Sequence, residues 1–114
     1  MDGVSDALRA QLGRIAEGAT PAARDAGTAL ADGPMPDRLR AAIRALAMHR
    51  GPTSSTCPSD AARAVGGDHW RDLMDDARAA AREMARAGDV EITQRGEVLD
   101  PDADWRGPIR IRAR

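Results

Sequence analysis

The chain of 114 residues suffices for one compact domain and is too short for two that each bury a core. Hydrophobic residues make up 42%, but 24 of them are alanine; only 24 larger apolar side chains remain, with two Trp and no Phe or Tyr, so the core is thin. A net charge of -1 removes any argument from overall charge for a polyanion or membrane partner, and the single Cys57 excludes an intramolecular disulfide and a thiolate metal site, so a reducing cytoplasm is the expected compartment.

All 17 basic residues are Arg, a bias that lowers the weight of any one arginine as a functional signal. No stretch approaches the roughly 18 consecutive apolar residues of a membrane span. Asp2 and Asp6 stand where a secretory leader would be basic. The glycines lack the spacing of a phosphate-binding loop.

Residues 1–36 read as an arm and linker, helical or disordered. Val4, Leu8, Leu12 and Ile15 recur at helical spacing, which predicts a short amphipathic helix ending near Gly18. Thr20-Pro21 suits a helix start, so a weak second helix over 21–31 is the alternative to a linker there. Gly33, Pro34 and Pro36 follow. An Ala- and Gly-rich stretch of this kind is expected to dock loosely or fray, or to serve as a docking helix for a partner.

From Asp37 onward the apolar pattern becomes dense. Leu39, Ala42, Ile43, Leu46 and Ala47 share one helical face until Gly51-Pro52. Pro58 suits the first position of a second helix over 58–65, with Asp60 reaching back to free amides and Gly66-Gly67 as the stop. Trp70, Leu73, Met74, Ala77, Ala81, Met84 and Ala85 predict a third helix from Asp68 to Gly88, with Trp70 in the core. The period then changes to two. Val90 and Ile92 form one strand, Ile109 and Ile111 another, with a turn at Gln94-Arg95-Gly96, a short pairing segment at Val98-Leu99 and a loop over 100–107. Three helices and a hairpin predict an α+β fold, a small winged helix-turn-helix over 37–114, in which Ser54 to Thr56 supply a small extra strand.

Several runs carry a resemblance: Cys57-Pro58-Ser59-Asp60-Ala61-Ala62-Arg63-Ala64, Trp70-Arg71-Asp72-Leu73-Met74, Val90-Glu91-Ile92-Thr93-Gln94-Arg95-Gly96, and Asp100-Pro101 with Arg106-Gly107-Pro108-Ile109-Arg110-Ile111-Arg112. In this order and spacing, residues 37–114 resemble a bacterial family known as domain of unknown function 3253. The resemblance implies a winged-helix-like domain and no established activity. Some members resemble two-part proteins with a cysteine-rich segment ahead of the domain; here only Cys57 is present.

Two sets of residues carry the functional expectation. Arg71, Arg78, Arg82 and Arg86 fall in one arc of the third helix, a row suited to phosphates. That helix also carries Asp68, Asp72, Asp75, Asp76 and Glu83, so its net charge is -1 and intrahelical pairs such as Asp75 with Arg78 read equally well. In the wing, Arg106, Arg110, Arg112 and Arg114 follow Trp105 with no acid among them, and Arg95 sits at the turn. Wing arginines suit a minor groove or phosphates; cross-strand pairing of Arg110 or Arg112 with Glu91 is the plain alternative. Trp105 reads as a cover for the hairpin or as an exposed anchor.

His49, Cys57 and His69 lack the spacing of a zinc module, so neither metal nor cofactor is expected. Cys57 reads as a packed thiol or, at a helix start, a redox-sensitive one. Carboxylate pairs such as Asp75 with Asp76 belong to no recognisable pocket motif, and no enzyme is expected. Duplex DNA binding or a transcription-associated role, led by the wing arginines and carried by Arg71, Arg78, Arg82, Arg95, Arg106, Arg110 and Arg112, is the leading expectation; a protein-interaction module without nucleic acid is the alternative.

Overall fold

The computed structural model describes residues 3–114; Met1 and Asp2, at the acidic start of the chain, lie outside the described residues. The chain runs through α1 (Gly3–Ala16), α2 (Ala22–Leu30), α3 (Met35–Arg50), α4 (Pro58–Gly66), a 3-10 turn (Gly67–Leu73), α5 (Met74–Arg86), β1 (Val90–Gln94), β2 (Glu97–Val98) and β3 (Arg110–Ala113). The architecture is α+β, helices packed on a small antiparallel sheet.

The expectation of a loosely docked or frayed arm is corrected. Leu8, Leu12 and Ile15 on α1 are buried, and Ala22, Ala26 and Ala29 of α2 join the same apolar core as α3 and α4. Alanines at helical spacing let α2 approach its neighbours closely, so α1 gains a wall for its leucines. Covering a Leu or Ile side chain stabilises by about 1.5–3 kcal/mol relative to exposure. Polar ties add to this packing. Arg9 donates to the last carbonyls of α4, from Nε to Ala64 O at 3.2 Å and from Nη2 to Val65 O at 3.3 Å. Arg38 Nε likewise donates to Ala29 O at 3.0 Å near the end of α2.

α4 begins with Pro58 as its first residue, as expected. Its Asp60 does not cap the helix. The carboxylate instead accepts from Arg50 Nη1 at 2.8 Å and Thr56 Oγ1 at 2.9 Å. The predicted third helix is also shortened: α5 starts at Met74, and residues 67–73 form a 3-10 turn kinked at His69, where φ is -98° and ψ is 16°. At the preceding corner Gly67 has φ +58°, a conformation that glycine adopts without steric cost, and Leu73 packs back over Gly66, where a Cβ would meet its Cδ1 at 2.8 Å. Trp70 and Leu73, three apart, suit the three-residue repeat of that turn. As a result Trp70 is only partly buried against the core that it was expected to occupy.

The sheet order is β2-β1-β3. In β1 and β3, Val90 faces Ala113 and Ile92 faces Ile111, so the alternation places both isoleucines on the covered side. The extra strand expected at 54–56 is a single bridge, Thr56 to Ile111, with hydrogen bonds of 2.8 and 2.7 Å. β2 comprises Glu97 and Val98, while Leu99 adds one bond from its N–H to Ile92 O at 2.8 Å. Gln94 pairs with Glu97 across a two-residue turn in which Arg95 has φ +54° and Gly96 φ +83°. Positive φ at both positions is the type I′ geometry, one of the two whose twist matches that of the strands.

Candidate functional site

The arginines of α5 face the 100–107 loop. Arg78 donates to Trp105 O and Gly107 O, both at 3.2 Å. Arg82 Nη1 donates to Ala103 O at 2.8 Å and to Pro101 O, and its guanidinium lies 4.0 Å from the centroid of the Trp105 ring. Arg86 Nε reaches Asp102 Oδ1 at 2.5 Å. Trp105 is 8% exposed and donates its indole N–H to Asp100 O at 2.9 Å, so it covers the hairpin. Helical spacing of Arg78, Arg82 and Arg86 sets three guanidiniums in a row, and the loop supplies a row of acceptors. The expected pair of Arg78 with Asp75 is replaced by these carbonyls.

The strand arginines are engaged as well. Arg110 donates to Ser55 Oγ at 2.8 Å and Ser55 O at 2.9 Å, and Arg112 pairs across the sheet with Glu91 at 3.2 Å. Arg95 is exposed at its turn. The Arg106 side chain is 90% exposed, 3.7 Å from Asp104. Arg71 lies over Trp70, 4.6 Å from the ring centroid. Of the seven arginines, Arg78, Arg82, Arg110 and Arg112 are thus bonded to groups of their own chain, while Arg71, Arg95 and Arg106 are exposed. Asp68, Asp72, Asp75 and Asp76, at the start of the predicted recognition helix, are all exposed and form no ion pair among the described residues.

Between the start of α4, the junction leading into α5 and the base of the 100–107 loop lies a cleft of about 330 Å³, walled by Cys57, Pro58, Trp70, Met74, Pro108 and Ile109. Trp70 is held by cations, with Arg63 4.2 Å from its centroid in addition to Arg71. Arg63 Nε is buried with no hydrogen-bond partner among the described residues. Cys57 Sγ lies 3.0 Å from Ser59 Oγ. Beneath this end, burial raises the Asp60 pKa, but hydrogen bonds from Arg50 and Thr56, the charge of Arg50 and a hydrogen bond with Cys57 outweigh it and hold the carboxyl below its ordinary value.

Residues 36–114, from the start of α3 through the cleft and the loop to the C-terminal strand, match the family described as "Protein of unknown function (DUF3253)". The chain belongs to this family. No curated protein matches the chain. The cleft, the Trp105 latch and all seven arginines lie within the DUF3253 domain, whereas Arg9, which ties down the end of α4, lies outside it. Among the described residues no three His, Cys, Asp or Glu side chains are placed to hold a metal ion, and no helix is long and apolar enough to cross a membrane. Sequence reasoning missed Arg63, Met74 and Pro108 as parts of one site. Arg63 and Trp70 stand on opposite sides of the Gly66-Gly67 corner, so no helical periodicity relates them.

Proposed function

We propose that the DUF3253 domain is a winged helix adapted to protein recognition, with the cleft between α4, the start of α5 and the 100–107 loop as its docking site. The succession of α3, the Thr56 bridge beside β3, α4, α5 and the β1–β3 hairpin supports the winged-helix reading. One observation carries the choice of partner class. The arginines of α5 are turned onto their own loop, while the 3-10 turn ahead of it and its first turn together carry four exposed, unpaired carboxylates, Asp68, Asp72, Asp75 and Asp76, that phosphates would meet first. The test is fluorescence anisotropy of a labelled duplex at low salt: no saturable binding is expected, and tight, salt-dependent binding overturns the reading.

A second reading rests on Arg95 and Arg106, two exposed arginines of the hairpin; Arg106 is engaged only by a solvent-exposed ion pair with Asp104 at 3.7 Å. Wing-tip contact with phosphates through these two side chains predicts that Arg95→Ala with Arg106→Ala reduces the slope of log K against log salt by about 2.

A further inference from the structure

We infer that the cleft takes a short acidic peptide segment carrying an apolar anchor, a proposal that rests on the protein-recognition reading above. Its volume of about 330 Å³ lies at the small end of ligand sites and suits one or two inserted side chains. The walls ask for an aliphatic occupant: Pro58, Met74, Pro108 and Ile109 are apolar, the Trp70 ring adds a flat surface, and no carboxylate lines the space.

The surroundings set the charge of the flanks. Arg78 lines the cleft, Arg63 and Arg71 lie against Trp70, Arg106 precedes Gly107 at the rim, and α4 presents its N-terminal end there. Of the acids at this end, Asp60 is occupied by Arg50 and Thr56, Asp104 lies 3.7 Å from Arg106, and Asp75 is about 100° around α5 from Met74. Asp68 and Asp72 are exposed on the 3-10 turn that carries Trp70 and Arg71, without lining the cleft. Asp76 and Glu83 lie on the far side of the helix from Met74. A long polyanion crossing this end would run onto the unpaired carboxylates; a peptide with a few acidic residues can remain over the cations. Carboxylate-guanidinium pairing at the rim would set register, and the anchor would supply the buried area.

The experiment uses the full chain and three fluorescein-labelled peptides: a Leu pair flanked by Glu, the same with Lys for Glu, and the same with Ala for Leu. The Glu-Leu peptide is expected to bind saturably and about tenfold tighter than either sister. Arg71→Glu and Arg106→Glu, both at exposed positions, should each weaken it by about three- to tenfold with circular dichroism and thermal unfolding unchanged. Because Cys57 is the only cysteine and lines the cleft, bound peptide should slow its alkylation by iodoacetamide. Preference for the Lys peptide, or binding that leaves Cys57 alkylation unchanged, overturns the inference while the protein-recognition reading stands. No saturable peptide binding up to about 1 mM also overturns it. If that absence is accompanied by tight duplex binding, the protein-recognition reading falls as well.

Discussion

The two tryptophans sit at opposite ends of the α5 region, each beside arginine, and they are used differently. Trp105 is closed in: Arg82 covers its ring, its indole N–H is bonded to Asp100 O, and the loop that carries it is pinned by Arg78, Arg82 and Arg86. Trp70 stays half-open, with Arg63 and Arg71 against its ring and a cleft in front. The difference lies in what stands opposite the guanidiniums. At Trp105 they meet carbonyls and a carboxylate of their own chain; at Trp70 their nearest partner is the ring itself, which leaves donor capacity for something from outside. An Arg-Trp stack is therefore a closed structural lock or an open surface according to whether the chain supplies the acceptors.

Truncating each tryptophan should separate the two ends most sharply. Trp105→Ala removes a buried ring and its hydrogen bond, and is expected to lower unfolding free energy in urea by about 3–5 kcal/mol. Trp70→Ala should cost less, about 1–2 kcal/mol, because the ring is only partly buried against the core. Equal losses would break the comparison.

Much of this was legible from residue spacing, and the limits have physical causes. Leu8, Leu12 and Ile15 announce a buried stripe, and Val90, Ile92 and Ile111 announce the sheet register, because these signals are local. The alanines of α2 are ambiguous in sequence: the same small side chains suit a linker or a tightly packed helix, and only the neighbouring wall decides. The row of Arg78, Arg82 and Arg86 was visible as a row. What it faces depends on how the 100–107 loop folds around Asp100, whose Oδ1 accepts the Asp102 N–H at 2.8 Å and whose carbonyl accepts from Trp105. The cleft was illegible because the Gly66-Gly67 corner replaces the first turns of the predicted helix and moves Trp70 out of the core.

Asp60 lies beneath the open end, and its titration offers a finer test. Its folded pKa is below its unfolded value, so its contribution is fully present above the unfolded value of about 3.9 and is lost as pH falls through the folded pKa. Asp60→Asn should cost about 1–3 kcal/mol near neutral pH by weakening the bond from Arg50, and should flatten acid destabilisation below about pH 4. Urea midpoints across that range check both; an unchanged acid slope would remove Asp60 from the support of the cleft.

At the closed end, Arg82→Ala should cost about 1–2 kcal/mol through lost packing on Trp105 and lost carbonyl bonds. Arg71→Ala, the corresponding change at the open end, should stay within about 0.5 kcal/mol. If Arg71 proves as costly as Arg82, the cleft is braced rather than open.

The smallest effect belongs to Arg95, which neither end uses. Its φ of +54° is unfavourable for a residue with a long side chain, and nothing in the hairpin ladder requires arginine there. Asn accepts that conformation more readily, and Asn-Gly is the preferred pair in a two-residue turn of this kind. Arg95→Asn is therefore expected to stabilise the domain by about 0.5–1 kcal/mol, measured from the urea midpoint. The sign matters more than the size. A gain means that the turn tolerates arginine at a cost to stability, as residues at contact sites often do, and makes Arg95 the first position to examine for an external partner. A loss means that the guanidinium already stabilises the free protein, and the wing-tip reading loses the side chain it most depends on.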